Sequence, residues 1–78
     1  MEEKVRRIMS SVFLVDIEKI DENASPETLP KWDSLGHLNL ITSIEEEFGI
    51  TLDDEQIIEM LNYKLVLEVI RECLKASS

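Results

Sequence analysis

Ser34 and His37 are the residues of this chain whose types and spacing are suited to chemistry. They lie in the segment Trp32-Asp33-Ser34-Leu35-Gly36-His37-Leu38 and would share a face of a helix. A serine nucleophile also needs an orienting acid and an oxyanion hole. The chain has no Gly-x-Ser-x-Gly elbow, and its 78 residues leave little room for a catalytic pocket. We therefore expect no enzyme activity and assign no catalytic residue.

Two other roles for Ser34 remain open at this stage. Asp33 and Ser34 stand where an acidic loop meets an amphipathic segment, and both residue types are good helix N-caps. Alternatively, Ser34 is an attachment point for a phosphate-linked group. The first turn of a helix presents unpaired N–H groups and a partial positive charge, which stabilise an anion there. The spacing alone does not decide between a cap and an attachment point.

Four helices are predicted to position Ser34. The second begins near Ser34 and ends at Phe48-Gly49, with Gly49 as a left-handed cap. Asp53 and Gln56 have the spacing of a capping box that starts a short third helix, and Asn62 can cap the last helix. The other boundaries are about Glu2 to Val15 for the first helix and about Tyr63 to Lys75 for the last. The fold class is therefore all-α, a small bundle of three longer helices and one short helix in a single domain, 1–78.

Apolar residues at helical spacing predict the faces that these helices bury. The first helix has Val5, Ile8, Met9 and Val12, and the last has Val66, Val69, Ile70 and Cys73. For the second helix we expect Leu38, Ile41, Ile44 and Phe48 inside, widened by Leu35 and Leu40, with Gly36, Asn39, Ser43 and Glu46 outside. For the third we expect an apolar side of Ile57, Ile58, Met60 and Leu61.

A long acidic loop, 16–33, connects the first two helices and holds both prolines. We expect Ile17, Ile20, Leu29 and Trp32 to anchor this loop on the bundle, and Ser25-Pro26-Glu27 to open a single helical turn. His37 should be partly buried at the end of the bundle, and Cys73 should be a buried, inert thiol.

Charge and composition limit the partners. A net charge of −9, from 17 acidic and 8 basic residues, argues against nucleic acid and anionic membranes and favours proteins with basic docking patches. The single cysteine excludes an internal disulfide, no apolar run approaches the roughly 20 residues of a membrane span, and the start Met-Glu-Glu-Lys lacks an apolar signal stretch. We expect a cytoplasmic, monomeric protein without a metal site.

The chain resembles an acyl carrier protein. The resemblance rests on Trp32-Asp33-Ser34-Leu35-Gly36-His37-Leu38, followed by Leu40-Ile41 and Ile44-Glu45-Glu46-Glu47-Phe48-Gly49-Ile50. It implies that Ser34 carries 4′-phosphopantetheine, transferred from coenzyme A by a phosphopantetheinyl transferase, with acyl groups held as thioesters on the terminal thiol of this arm. Acyl-loading and acyl-transfer enzymes would then be the partners.

The resemblance also implies roles for the neighbours of Ser34. Asp33 and Leu35 match the motif that the transferase recognises, and Glu45 and Glu46 match the acidic end of the partner-binding helix. Typical fatty-acid carriers have an acid at the positions of Gly36 and Asn39 and an apolar residue at that of Thr42. These departures favour a specialised pathway of lipid, polyketide or glycan chemistry over housekeeping fatty-acid synthesis.

Two alternatives remain at the level of sequence. One is a peptidyl or D-alanyl carrier of the same family. The other is an unmodified helical interaction module in which Ser34 is only a cap.

Overall fold

The computed structural model describes residues 1–77, which form an all-α bundle without a strand in that part of the chain. A single 3₁₀ turn, Ile17–Lys19, lies in the long loop between the first two helices. The helices are α1 (Glu2–Phe13), α2 (Ser34–Phe48), α3 (Asp54–Glu59) and α4 (Tyr63–Ser77). The predicted order of three longer helices and one short third helix is confirmed.

The helix ends follow local chemistry. Gly49 ends α2 in the predicted left-handed conformation, with φ 65°. Asp53 and Gln56 form the predicted capping box of α3, and the Asn62 Oδ1 accepts from the Leu65 amide at 2.9 Å. The predicted end of α1 at Val15 is wrong by two residues, because Leu14 takes a left-handed conformation with φ 55° and closes the helix after Phe13.

One hydrophobic core joins the helices and the loop. Its fully buried large side chains include Phe13, Met9, Ile20, Leu40, Ile44, Met60, Ile70, Val5 and Val66. No polar or charged side chain is buried among the residues that the structure describes. Most of the predicted stripes of α1 and α4 are confirmed, although Ile8, Val12 and Cys73 are only half-buried.

The predicted inner face of α2 is partly wrong. Leu38 and Leu35 are 57% and 69% exposed, whereas Gly36, which we placed outside, is buried. The buried residues are Gly36, Leu40, Ile41 and Ile44. The loop backbone at Lys31 packs against Gly36 and thereby turns this side of α2 inward.

The predicted apolar side of α3 is also partly wrong. Met60 is buried and Ile57 half-buried, but Ile58 and Leu61 are 71% and 63% exposed. Because α3 ends at Glu59, it is too short to turn all four apolar side chains toward the core.

The long loop is anchored as predicted by Ile20, Leu29 and Trp32, with Ala24 as a further buried contact, while Ile17 is half-buried. Arg6 of α1 clamps the loop, since its Nε and Nη2 donate to the carbonyls of Ile20 and Ile17 at 2.9 and 3.1 Å. The turn predicted at Ser25-Pro26-Glu27 is present and is closed by a hydrogen bond from the Thr28 amide to the Ser25 carbonyl. Within residues 1–77, none of the helices is long and apolar enough to cross a membrane.

Candidate functional site

Ser34 is the first residue of α2, and its side chain is exposed. Its hydroxyl makes no hydrogen bond with any described residue. The serine oxygen is therefore accessible, and neither a cap nor a packing contact requires it.

Asp33, not Ser34, caps α2. The Asp33 Oδ1 accepts from the Gly36 amide at 2.8 Å, and the Asp33 carbonyl accepts from the His37 amide at 2.8 Å. The amides of Ser34 and Leu35 keep no partner among the described residues. Ser34 is therefore not the side-chain cap of α2, and its role as an attachment point stays a prediction. The start of α2 retains unpaired donors beside the Ser34 hydroxyl.

Gly36 allows the loop to approach the first turn of α2 closely. A Cβ atom added at Gly36 would lie 2.0 Å from the Lys31 carbonyl oxygen and 3.1 Å from the Lys31 carbonyl carbon. Such distances are far below a normal contact, so only glycine fits here without movement of the loop. The close approach of the Lys31 carbonyl therefore explains why this position holds glycine.

A chain of side-chain contacts fixes the wall of the site next to Ser34. Trp32 is 2% exposed, stacks on Phe13 with ring centroids 5.1 Å apart, and lies parallel to His37 at 6.2 Å. The Trp32 Nε1 donates to the His37 Nδ1 at 2.9 Å, and the His37 Nε2 lies 2.9 Å from the Ile57 carbonyl. The predictions of a loop-anchoring Trp32 and a half-buried His37 are confirmed.

A groove of about 430 Å³ opens beside Ser34 between α2, the loop and the α3 region. We call it the Ser34 groove; it is lined by Pro26, Trp32, Asp33, Ser34, His37, Ile57, Ile58, Met60 and Leu61. Buried Trp32 and Met60 form its floor, whereas Ile58 and Leu61 are exposed at its side. The α3 side of this groove was not predicted from the sequence as part of the site. The signal that could have indicated it is that residues 57–61 hold two more apolar side chains, Ile58 and Leu61, than this short helix buries.

The outer face of α2 continues from the site. Leu35, Leu38, Thr42 and Glu46 are exposed at helical spacing along it. Glu46 makes no hydrogen bond or ion pair with any described residue. The outer face of α2 therefore presents exposed leucines and an unpaired carboxylate to solvent.

The two glutamates expected to recognise partners differ in the structure. Glu45 is half-buried, and its Oε2 accepts from the Leu52 amide at 2.8 Å, so it holds the connection between α2 and α3. Glu46 is the carboxylate of the pair that faces solvent.

Other reactive groups lie away from Ser34. Cys73 of α4 is half-buried rather than buried, and the Gln56 Nε2 donates to its sulfur at 3.2 Å. No cluster of three or more His, Cys, Asp or Glu side chains suited to a metal ion occurs within the described part of the chain. The site therefore consists of an accessible serine, a helix start and an apolar groove.

Comparison with known proteins gives relatives over most of the chain. It is 42% identical over 55 residues to an acyl carrier protein of Buchnera aphidicola, a match covering 70% of each chain. It is 35% identical to that of Thermosynechococcus vestitus over 95% of this chain and 91% of the relative. For the acyl carrier protein of Nitratidesulfovibrio vulgaris the identity is 33% over 90% of this chain and 92% of the relative. No protein-family model matches the sequence.

These relatives are all acyl carrier proteins, which is the family that the sequence resembles. The four-helix order and the exposed serine at the start of α2 are consistent with that resemblance. The chain belongs to the acyl carrier protein family.

Proposed function

We propose that this protein is a non-catalytic carrier of acyl groups and that Ser34 is the attachment point of 4′-phosphopantetheine. The observation that supports this most is the free Ser34 hydroxyl at the first position of α2, next to a helix cap supplied by Asp33. The serine oxygen would be joined by a phosphodiester to the arm, which a phosphopantetheinyl transferase takes from coenzyme A.

The residues around Ser34 fit such a group. A phosphate at this position would lie beside the unpaired amides of Ser34 and Leu35 and the positive end of the α2 dipole. The Ser34 groove offers the uncharged part of the arm an apolar wall of Ile58 and Leu61. When bound, the arm supplies a thiol that carries acyl groups as thioesters.

The chain's own residues then have distinct tasks. Asp33 keeps the helix start in place, so that Ser34 is presented in one position to the modifying enzyme. Ser34 supplies only an oxygen, and the base for its deprotonation belongs to the transferase, because His37 has both ring nitrogens engaged by Trp32 and Ile57.

Intact mass measurement tests the attachment. Wild-type protein incubated with coenzyme A and a broad-specificity phosphopantetheinyl transferase is expected to gain the mass of one phosphopantetheine group. Ser34→Ala keeps the Asp33 cap, so it should remain folded and gain no mass. A wild type that gains no mass would refute the proposed carrier function, and a gain on Ser34→Ala would refute the site.

We also propose that Asp33, Leu35, Glu45 and Glu46 take part in partner recognition, with acyl-loading and acyl-transfer enzymes of lipid, polyketide or related biosynthesis as the partners. The net charge of −9 and the free carboxylate of Glu46 support docking on basic patches. Modification of Ser34 should become slower as salt is raised, and Glu46→Lys should lower kcat/KM for the transferase. A rate independent of both salt and Glu46→Lys would contradict electrostatic docking.

A further inference from the structure

The Ser34 groove ends on the hydrophobic core, and His37 stands between the two. His37 lies on α2, lines the groove and is half-buried. Its Nε2 reaches the Ile57 carbonyl of α3 at 2.9 Å, a contact that spans the gap between the two helices. The core residues Leu40 and Ile44, which do not line the groove, are both 0% exposed.

The two partners of His37 fix where its proton lies. The indole N–H of Trp32 can only donate, so the His37 Nδ1 must accept. The Ile57 carbonyl can only accept, so the Nε2 must carry the proton and donate. The neutral ring satisfies both partners at once. The imidazole and the indole N–H therefore depend on this arrangement for their hydrogen bonds, whereas the Ile57 carbonyl also accepts from the Met60 amide at 3.4 Å.

We propose that this pair of hydrogen bonds closes the route from the Ser34 groove into the core, so that an acyl group carried on Ser34 stays in the open groove. The proposal rests on the proposed function, because it concerns the cargo of the same site. The cargo that suits this carrier is then a short or polar acyl group. A long alkyl chain enclosed by the bundle does not suit it.

The physical reason is the mismatch between an alkyl chain and the groups it would have to displace. To pass from Ser34 toward Leu40 and Ile44, the chain must part α2 from α3 where His37 bonds Ile57. An alkyl chain has no polar group, so the imidazole and the indole N–H would lose partners without replacement in a half-buried place, and the Ile57 carbonyl would keep only the Met60 amide. In the open groove, by contrast, a short chain rests against Ile58 and Leu61 without breaking any bond.

The experiment compares one short and one longer cargo on the wild-type protein. Acetyl and octanoyl forms are made from acetyl- and octanoyl-coenzyme A with the phosphopantetheinyl transferase, and intact mass confirms each loading. The two forms are expected to melt within about 4 °C of each other. The methyl NMR signals of Leu40 and Ile44, which do not line the groove, are expected to coincide in the two forms. A clearly higher melting temperature for the octanoyl form, with shifted core methyl signals, would overturn the proposal.

Variants at His37 separate hydrogen bonding from bulk. His37→Leu keeps a bulky side chain at this position but removes both hydrogen bonds, and His37→Ala removes the bulk as well. In each variant the octanoyl form should melt more than about 4 °C above the acetyl form, as a chain that gains access to the core adds buried apolar surface. Because both forms carry the same substitution, loss of stability from the substitution itself cancels in this difference.

Asn39→Ala is the matched control, since Asn39 is exposed on the same helix. It should behave as the wild type. If only His37→Ala admits the octanoyl chain, bulk and not hydrogen bonding closes the route, and the proposal fails. If neither variant folds, the wild-type comparison still decides whether the cargo stays outside. Failure to load either cargo refutes the proposed function instead, so the two failures are distinguishable.

Discussion

Replacement of Gly36 by alanine tests the packing on which the site depends. The added methyl carbon would lie 2.0 Å from the Lys31 carbonyl oxygen and 3.3 Å from the Asp33 Oδ1. An ordinary contact between carbon and oxygen is about 3.3–3.6 Å, so the Lys31 carbonyl must move by more than about 1 Å. That carbonyl precedes Trp32, which is held by Phe13 and His37 and cannot follow freely.

Two opposing effects decide the sign of the change in the free energy of unfolding. Alanine is favoured over glycine inside a helix by about 0.8–1.0 kcal/mol. Overpacking of a well-packed site costs about 1–3 kcal/mol, and the upper part of that range applies because the obstacle is backbone. We expect a net destabilisation of about 1–2 kcal/mol, which corresponds to a melting temperature lower by very roughly 4–16 °C.

Urea denaturation provides the assay, with helix content followed by circular dichroism and the loop followed by the fluorescence of the single tryptophan, Trp32. The matched control is Asn39→Ala, which adds helix propensity at an exposed position of α2 and should be neutral or slightly stabilising. The native-state fluorescence of Gly36→Ala should also differ from wild type, because Trp32 is displaced from His37. A Gly36→Ala protein at least as stable as Asn39→Ala would refute the close approach of the loop.

Three further predictions concern single side chains. Glu45→Gln should lower stability by about 1 kcal/mol in thermal melts by weakening the charged acceptor of the Leu52 amide, whereas Glu46→Gln should leave stability unchanged. Burial, and then the Glu2 carboxylate, raises the pKa of the Tyr63 phenol above its usual value of about 10, against smaller lowering effects of Arg6 and Arg71. The stability that neutral Tyr63 contributes is therefore complete below pH about 10 and is lost as the pH rises through the folded-state pKa. Urea titrations at alkaline pH should show a smaller loss of stability in Tyr63→Phe than in the wild type. An equal loss in the two proteins would contradict this assignment. Asp53→Ala should cost about 0.5–2 kcal/mol by removing the capping box of α3, measured by the same urea titration.

Local chemistry made much of the fold predictable from the sequence. Gly49, the Asp53–Gln56 box and Asn62 mark helix ends through contacts within four residues along the chain. The serine at the start of α2 was found in the same way. Such signals are readable because both partners lie in one short segment.

Contacts between distant segments were not predictable in this way. The rotation of α2 depends on the Lys31 backbone packing on Gly36, and the wall of the groove depends on a bond between His37 and Ile57, 20 residues apart. Helical spacing also predicted too many core residues, since Leu38 lies exposed on the outer face of α2. The apolar residues that the core does not use are concentrated around the site.

Because Asp33 completes the cap of α2 and leaves the Ser34 hydroxyl unbonded, the start of α2 does not need the proposed group in order to form. Removal of the attached group would return the chain to the same fold. Degradation of small proteins follows their unfolded fraction, so bare molecules, which already have the complete cap, are expected to persist and stay available for modification. The proportion of working carriers would then depend mainly on the enzymes that add and remove the group.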